Sequence, residues 1–220
     1  MSSDPSRHPF LSVLYETYLD EQDSAAFISR ASQFYTQGTL QRLAEHESHQ
    51  VRRSAVLALG LLADYEANHA MGRALVDSDR TVRMLAENGI RNVWARAGND
   101  EQRQNLAIII RLNSAQQYAE AERKATELLE AAPWFAEAWN QRAVARYALG
   151  QHAAAIRDGH QALEINPYHF SAASGMGQAY IQLENHVSAL ECFHRALRLS
   201  PDLEGVRAQV ARLTRIIEGK

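Results

Sequence analysis

The chain has 220 residues and a formal net charge of −3, with 46% apolar and 22% charged residues. These proportions are those of a globular protein, so they exclude wholesale disorder and a membrane protein. No apolar run approaches the roughly 20 residues that a membrane-spanning helix needs.

The cysteine content and the first residues indicate a compartment. The single cysteine, Cys192, excludes an intrachain disulfide and a zinc site built from thiolates. The opening sequence MSSDPSRHPF contains no basic segment followed by the long apolar stretch of a secretory signal. We therefore predict a cytoplasmic protein.

Residues 1–38 contain two amphipathic segments, PFLSVLYETYL and SAAFISRASQFY, with apolar residues at helical spacing. We predict that they form a degenerate helix pair, an N-terminal cap that covers the open end of the repeats that follow.

Residues 39–99 contain a repeated pattern. The segment VRRSAVLALG begins at Val51 and VRMLAENGIR begins at Val82, and both keep alanine and aliphatic residues at matching positions. This pattern resembles the short HEAT repeats named for phycobiliprotein lyases. The resemblance implies that Asp77 braces the turn of the second copy. The first copy has an extra residue at this point and reads Glu45-His46-Glu47, so the sequence does not decide which residue braces its turn.

A second and longer period follows from residue 100. It links residues of the same kind in three columns, namely Pro133, Pro167 and Pro201, Ala121, Ala155 and Ala189, and Leu129, Leu163 and Leu197. Such an interval of about 34 residues resembles the tetratricopeptide repeat (TPR), a helix-turn-helix unit. The resemblance implies three TPR units within residues 100–203, beginning at 102, 136 and 170, with the first the weakest copy.

The last segment, residues 204–220, carries one apolar stripe with arginines off it. The stripe consists of Val206, Val210, Leu213 and Ile217. This is the pattern of a capping helix. The sequence as a whole predicts an all-α helical-repeat solenoid, with HEAT-like pairs followed by three TPR units and this cap.

Motifs of enzyme active sites are absent from the sequence: it has no phosphate loop, nucleophile elbow or zinc-protease histidine pair. Gly175-Met176-Gly177 lacks a third glycine and falls inside a predicted helix, so we interpret it as close helix packing. His46-Glu47 resembles a pair found in HEAT-repeat iron hydroxylases, but the second copy has Ser78-Asp79 instead. We therefore predict no catalytic residue, no cofactor and no metal.

Nucleic-acid binding is a further alternative, because some HEAT arrays grip DNA with a basic face. Residues 1–101 contain 10 Arg and Lys against 14 Asp and Glu, and residues 102–220 contain 13 against 12. An acidic first half argues against phosphate neutralisation as the main source of affinity. A patch formed by Arg52, Arg53 and Arg83 is possible, but the resemblance implies that Arg52 and Arg83 lie in a column that pairs with turn acids, so we favour a structural role.

The remaining candidate site is a groove. In the TPR resemblance, the first helix of each unit lines the concave side, and a spacing of i, i+4, i+7 selects its inner stripe. The stripe comprises Leu106, Ile110 and Asn113 in the first unit, Asn140, Val144 and Tyr147 in the second, and Ser174, Gln178 and Ile181 in the third. This mixture of amide, aliphatic and aromatic side chains suits an extended peptide or a helix. We expect Asn140 and Gln178 to be unnecessary for packing.

The positions that hold the acidic tails of chaperones in some TPR proteins carry no lysine or arginine here, so we predict no such clamp. Two turns contain large aromatic residues one period apart, Trp134 and Tyr168. They either seal the packing between units, which we favour, or form an exposed ridge for a partner.

The sequence therefore favours a non-enzymatic adaptor that binds a protein or peptide, with no nucleic acid and no membrane as partner. The alternatives are a lyase-like or metal-dependent enzyme in the HEAT-like half and a nucleic-acid-binding solenoid. The oligomeric state is left open.

Overall fold

The computed structural model describes residues 9–219, and within that range the chain forms thirteen α-helices, one 3-10 turn and no strand. The predicted all-α class is confirmed. None of the described helices is both long enough and apolar enough to cross a membrane. The chain divides into two compact units, unit 1 up to Val93 and unit 2 from Trp94. Residues 1–8, which are the first part of the predicted N-terminal cap and of the opening sequence, lie outside the described residues, as does Lys220.

Unit 1 contains five complete helices and most of a sixth, which continues two residues beyond Val93. They are α1 (Phe10–Glu21), α2 (Ser24–Phe34), α3 (Gln37–Leu43), α4 (His49–Leu62), α5 (Asn68–Ala74) and α6 (Arg80–Ala95), with a 3-10 turn at Tyr65–Ala67. Helices α1 and α2 pack on each other and on α4. The start of α1 is tied to the end of α2 because the Leu11 amide donates to the Tyr35 hydroxyl at 2.9 Å.

The predicted period of unit 1, the interval from Val51 to Val82, is present in its helices and turns. Helix α5 begins and ends one such period after α3. The Asp79 amide donates to Asp77 Oδ1 at 2.7 Å, which braces the second turn as expected. In the first turn the Ser48 amide donates to His46 Nδ1 at 3.0 Å. The extra residue expected in the first copy is therefore absent, because His46 occupies the register of Asp77.

Helices α4 and α6 cross at two glycines. A Cβ built on Gly89 would lie 2.7 Å from the Cα of Gly60, so the two backbones are in direct contact. Only glycine permits this approach.

Unit 2 contains three helix pairs and a final helix. The pairs are α7 (Asp100–Ser114) with α8 (Tyr118–Ala131), α9 (Ala136–Ala148) with α10 (His152–Ile165), and α11 (Phe170–Gln182) with α12 (His186–Leu199), followed by α13 (Glu204–Ile217). The three second helices begin and end at one constant interval, which is that of the prolines. Each of the prolines Pro133, Pro167 and Pro201 follows shortly after the end of such a helix, because proline cannot continue it.

Helix α13 packs on α12 through part of its predicted stripe. Val206 and Leu213 are buried and Val210 is half-buried, whereas Ile217 is 45% exposed. The stripe therefore seals unit 2 over its first three turns and leaves the last turn in solvent.

Small residues occur where helices approach closely in unit 2. A Cβ on Gly177 would lie 2.7 Å from the ring of Phe193, which is fully buried. Gly175, on the same helix, has nothing within 4 Å of such a Cβ. The interpretation of Gly175-Met176-Gly177 as helix packing therefore holds for Gly177.

These two glycines give a matched pair of variants. We expect Gly177→Ala to lower the free energy of unfolding by about 1–3 kcal/mol, because the rigid ring of Phe193 must shift. We expect Gly175→Ala to raise it by up to about 1 kcal/mol, because alanine favours an open helical position over glycine. Chemical denaturation of both variants is the measurement, and equal effects would contradict the packing role of Gly177.

Candidate functional site

The first helices of unit 2 form one continuous surface. Helices α7, α9 and α11 contact one another in succession, more extensively than the second helices α8, α10 and α12 do. The unit therefore curves toward its first helices. We call the surface of α7, α9 and α11 on this side the groove.

Six residues of the predicted stripe are accessible in the groove. Val144 is 43% exposed, and the others are half-buried. Gln182 Nε2 donates to the Tyr147 hydroxyl at 3.4 Å, which joins α11 to α9 at one end. The six residues are Ile110, Val144, Tyr147, Ser174, Gln178 and Ile181.

Three residues of the predicted stripe are not available to a ligand. Leu106, Asn113 and Asn140 are 1%, 9% and 7% exposed. Asn140 Nδ2 donates to Glu137 Oε1 at 3.2 Å, so the expectation that Asn140 is unnecessary for packing is wrong. Helical spacing selects one face of each first helix but does not show which positions on it a neighbouring helix covers.

Beneath the groove, a chain of polar side chains connects all three first helices. His169, which caps α11, lies 3.0 Å from Glu137 Oε2 on α9. Gln141 Nε2 donates to Glu137 Oε1 at 2.7 Å, and Asn113 Nδ2 on α7 donates to Gln141 Oε1 at 2.9 Å. We call these four residues the polar chain.

The hydrogen bonds of the polar chain converge on Glu137. The Ala172 amide donates to His169 Nδ1 at 3.2 Å, which leaves the other ring nitrogen, Nε2, facing Glu137. Burial acts to raise the pKa of the Glu137 carboxyl, but the hydrogen bond and electrostatic attraction of His169, with the bonds from Gln141 and Asn140, outweigh it and the pKa is lowered. Glu137 is therefore a buried carboxylate.

Trp94 covers the end of the polar chain. Its ring stacks on His169 with centroids 4.2 Å apart and an angle of 22°, and it lies 5.3 Å from Phe170. Trp94 is 1% exposed and His169 is fully buried. Sequence reasoning missed Trp94 because it precedes the first TPR unit. Glu137 could have been found, since it lies one helical turn before Asn140 on the same stripe.

The arginines of α9 face away from the groove, toward the second helices. Arg142 donates to both oxygens of Asp158 at 2.9 Å, and Arg146 Nη1 lies 2.9 Å from the same two oxygens. Arg146 also donates to Glu122 at 2.9 Å. Asp158 is 2% exposed, so this ion-pair cluster belongs to the packing of helix pairs.

The aromatic turns divide between core and solvent. Phe135 immediately precedes α9 and is 0% exposed, and Phe170 is the first residue of α11 and is 1% exposed. Trp134 is 49% exposed and stacks on Phe135 with centroids 5.6 Å apart, and Tyr168 is half-buried. Trp134 thus shields one face of Phe135 and presents the other face to solvent, and both interpretations of these residues stay open.

The arginine patch of unit 1 is occupied by structural contacts. Arg52 forms a two-point ion pair with Asp77, both bonds at 2.8 Å, and Arg53 does the same with Asp79 at 2.9 and 2.6 Å. Arg83 Nη1 donates to the carbonyls of Asp77 and Ser78. Pairing with turn acids, which the resemblance implied for Arg52 and Arg83, is seen for Arg52 and also for Arg53, whereas Arg83 donates to backbone carbonyls of the turn.

Residues with other possible chemistry are dispersed. In the described part of the chain, no three His, Cys, Asp or Glu side chains are grouped as metal ligands would be. A cleft of about 470 Å³ in unit 1 is lined by both charge signs, with Arg73 paired to Glu45. Burial raises the pKa of the Cys192 thiol to about 11, which disfavours the nucleophilic thiolate.

Comparison with known families supports the repeat type of unit 2. The sequence model of the tetratricopeptide repeat family matches residues 146–214. The chain has no significant match among curated proteins.

Solved structures with the same fold contain TPR domains. The TPR domain of Sgt2 from Aspergillus fumigatus is 22% identical, with a TM-score of 0.53, and the match covers 56% of this chain and 82% of that one. The first TPR domain of human RPAP3 is 22% identical, with a TM-score of 0.50, over 52% of this chain and 91% of that one. The first TPR of Spaghetti (RPAP3), solved with the HSP90 peptide SRMEEVD, gives the same score and identity and is covered to 94%.

Proposed function

We propose that the chain is a non-enzymatic adaptor whose groove binds an extended peptide segment of a partner protein. The observation that carries this proposal is the row of accessible side chains on adjoining first helices, which includes aliphatic Val144 and Ile181 and polar Ser174 and Gln178. Apolar hollows accept the side chains of an extended peptide, and amide groups pair with its backbone. The Spaghetti TPR, which shares this fold, is solved with a bound peptide.

We also propose the arrangement around this groove. Residues 100–203 are three TPR units, 204–220 are their capping helix, and residues 39–99 are HEAT-like pairs preceded by a helical cap. The ion pairs of Arg52 and Arg53 with the following turn support the HEAT-like assignment, since they join one helix pair to the next along the chain.

The groove is tested with a matched pair of variants. Peptides selected from a random phage-displayed library on the full chain serve as probes, and their Kd is measured by fluorescence anisotropy. Val144→Arg places a bulky charge in the groove and should weaken binding by about tenfold or more. Val187→Arg changes a valine that is 58% exposed on the second helix α12, and should leave the Kd unchanged.

Both variants should keep the helical circular dichroism of the unmodified chain, because both valines are exposed. A library that yields no binding peptide, or equal Kd values for the two variants, would overturn the proposal.

A further inference from the structure

The part of the groove between α9 and α11 presents no charged side chain to a ligand. Helix α11 contains no charged residue at all. Helix α9 contains three, of which Arg142 and Arg146 face the second helices and are paired there. The third, Glu137, is 8% exposed and accepts hydrogen bonds from Gln141 and Asn140. Charged residues of both signs are exposed on α7, so this neutral part of the groove begins at α9.

Two polar side chains in this part of the groove are available to pair with a peptide backbone. Ser174 and Gln178 lie one helical turn apart on α11, and both are half-buried. Neither side chain forms a hydrogen bond with another described residue. The Gln178 amide can both donate and accept, as can the Ser174 hydroxyl, so these groups match the N–H and C=O groups of a peptide without using charge.

An open glycine lies on the same face of α11. Gly175 is exposed, and a Cβ built on it would have nothing within 4 Å. It lies three residues before Gln178, a spacing that places both residues on one side of the helix. A peptide can therefore approach the backbone of α11 closely at this position, because no side chain stands between them.

We propose that this part of the groove binds peptide segments that carry small aliphatic side chains and no charge. The peptide backbone pairs with Ser174 and Gln178, and a small side chain occupies the space above Gly175. This inference rests on the proposed function, to which it adds the chemical class of the partner segment.

The physical reason is the cost of taking a charge out of water. An ionised peptide side chain loses hydration when it enters the groove, and the lining supplies no opposite charge to compensate that loss. An aliphatic side chain gains from leaving water, and Val144, which is 43% exposed, offers it an apolar contact. Because the cost falls on both signs of charge, acidic and basic segments are disfavoured alike.

The sequences that the groove selects give the first test. A random phage-displayed peptide library is selected on the full chain, and amino-acid frequencies in bound clones are compared with those of the input library. We expect Lys, Arg, Asp and Glu all to be depleted and aliphatic residues to be enriched. Enrichment of either charge, or no depletion, overturns the inference and leaves the proposed function standing. Absence of any bound clone overturns both.

The salt dependence of binding gives the second test. The probe is the most enriched peptide, measured by fluorescence anisotropy at about 20 mM and about 500 mM NaCl, where screening is weak and strong. We expect the Kd to rise by no more than about twofold at high salt, because no charge pair contributes to binding. A larger rise would overturn the inference.

Filling the open site locates the peptide in the groove. Gly175→Leu places a bulky side chain in the space above α11 and should weaken binding of the same peptide by about tenfold. Gly38→Leu is the matched control, because Gly38 is an exposed glycine of helix α3 with equally open surroundings. Both variants should keep the helical circular dichroism of the unmodified chain, because neither new Cβ meets an atom within 4 Å. Equal Kd values for the two variants would overturn the inference, and the proposed function is then decided by Val144→Arg alone.

Discussion

Replacing Trp94 by alanine is expected to lower the free energy of unfolding of unit 2 by about 3–5 kcal/mol, the usual cost of removing a buried aromatic ring. The ring is 1% exposed and stacks on His169. Its loss opens a cavity beside the hydrogen bond between His169 and Glu137, and water can then enter the polar chain. The measurement is denaturant unfolding followed by circular dichroism.

Trp134→Ala is the matched control, because it removes the same ring from a position that is 49% exposed. About half of that ring is already in water, so less apolar contact is lost and the cost should be clearly smaller. Trp94→Phe should recover part of the stability, since a phenyl ring retains much of the apolar contact. A Trp94→Ala protein as stable as Trp134→Ala would show that the stacking on His169 contributes little.

The periodicity of the sequence predicted an all-α arrangement of repeated helix pairs in this part of the chain, and unit 2 contains such pairs. Proline and alanine recur once per TPR repeat, because each helix pair needs a helix stop and a close helix crossing at the same place. The intervals between Pro133, Pro167 and Pro201 therefore correspond directly to the ends of α8, α10 and α12. Helix ends and close crossings of this kind depend on residues that are near one another in the sequence, so the sequence alone reveals them.

Side-chain coverage in the groove could not be predicted in the same way. Asn140 and Gln178 both lie on the predicted stripe, one on α9 and one on α11, yet Asn140 is 7% exposed and Gln178 is half-buried. Asn140 donates to Glu137, which is bonded in turn to His169 at the start of the next helix pair. Contacts over such separations depend on how helices pack.

The boundary between unit 1 and unit 2 also depends on helix packing that the sequence pattern does not reveal. The sequence predicted it between residues 99 and 100, after the HEAT-like range, whereas Trp94 already belongs to unit 2. Trp94 lies within the HEAT-like range 39–99 but after the matched segment VRMLAENGIR and before the first TPR unit, so neither repeat pattern assigns it a contact. Its role became visible only through its stacking on His169, at the start of the third helix pair.

Replacing Asp158 by alanine is the second change for which a large effect is expected. Its carboxylate lies between Arg142 and Arg146 and accepts bonds from both at 2.9 Å. Removal leaves Arg142, which is 9% exposed, with its charge uncompensated in the interior. Breaking a buried ion pair from one side costs about 3–5 kcal/mol, so the free energy of unfolding should fall by about that amount.

Two further variants separate the loss of the ion pair from the loss of packing. Glu120→Ala removes an exposed carboxylate that pairs with Arg123 on α8, and it should leave the denaturation midpoint almost unchanged because surface pairs contribute little. Asp158→Leu combined with Arg142→Met replaces the buried pair by apolar side chains and should recover part of the stability lost in Asp158→Ala. Arg146 retains Glu122 in that double variant, so it does not become an unpaired buried charge. If the double variant were less stable than Asp158→Ala, the stabilisation would come from the ion-pair network itself rather than from avoiding an uncompensated arginine.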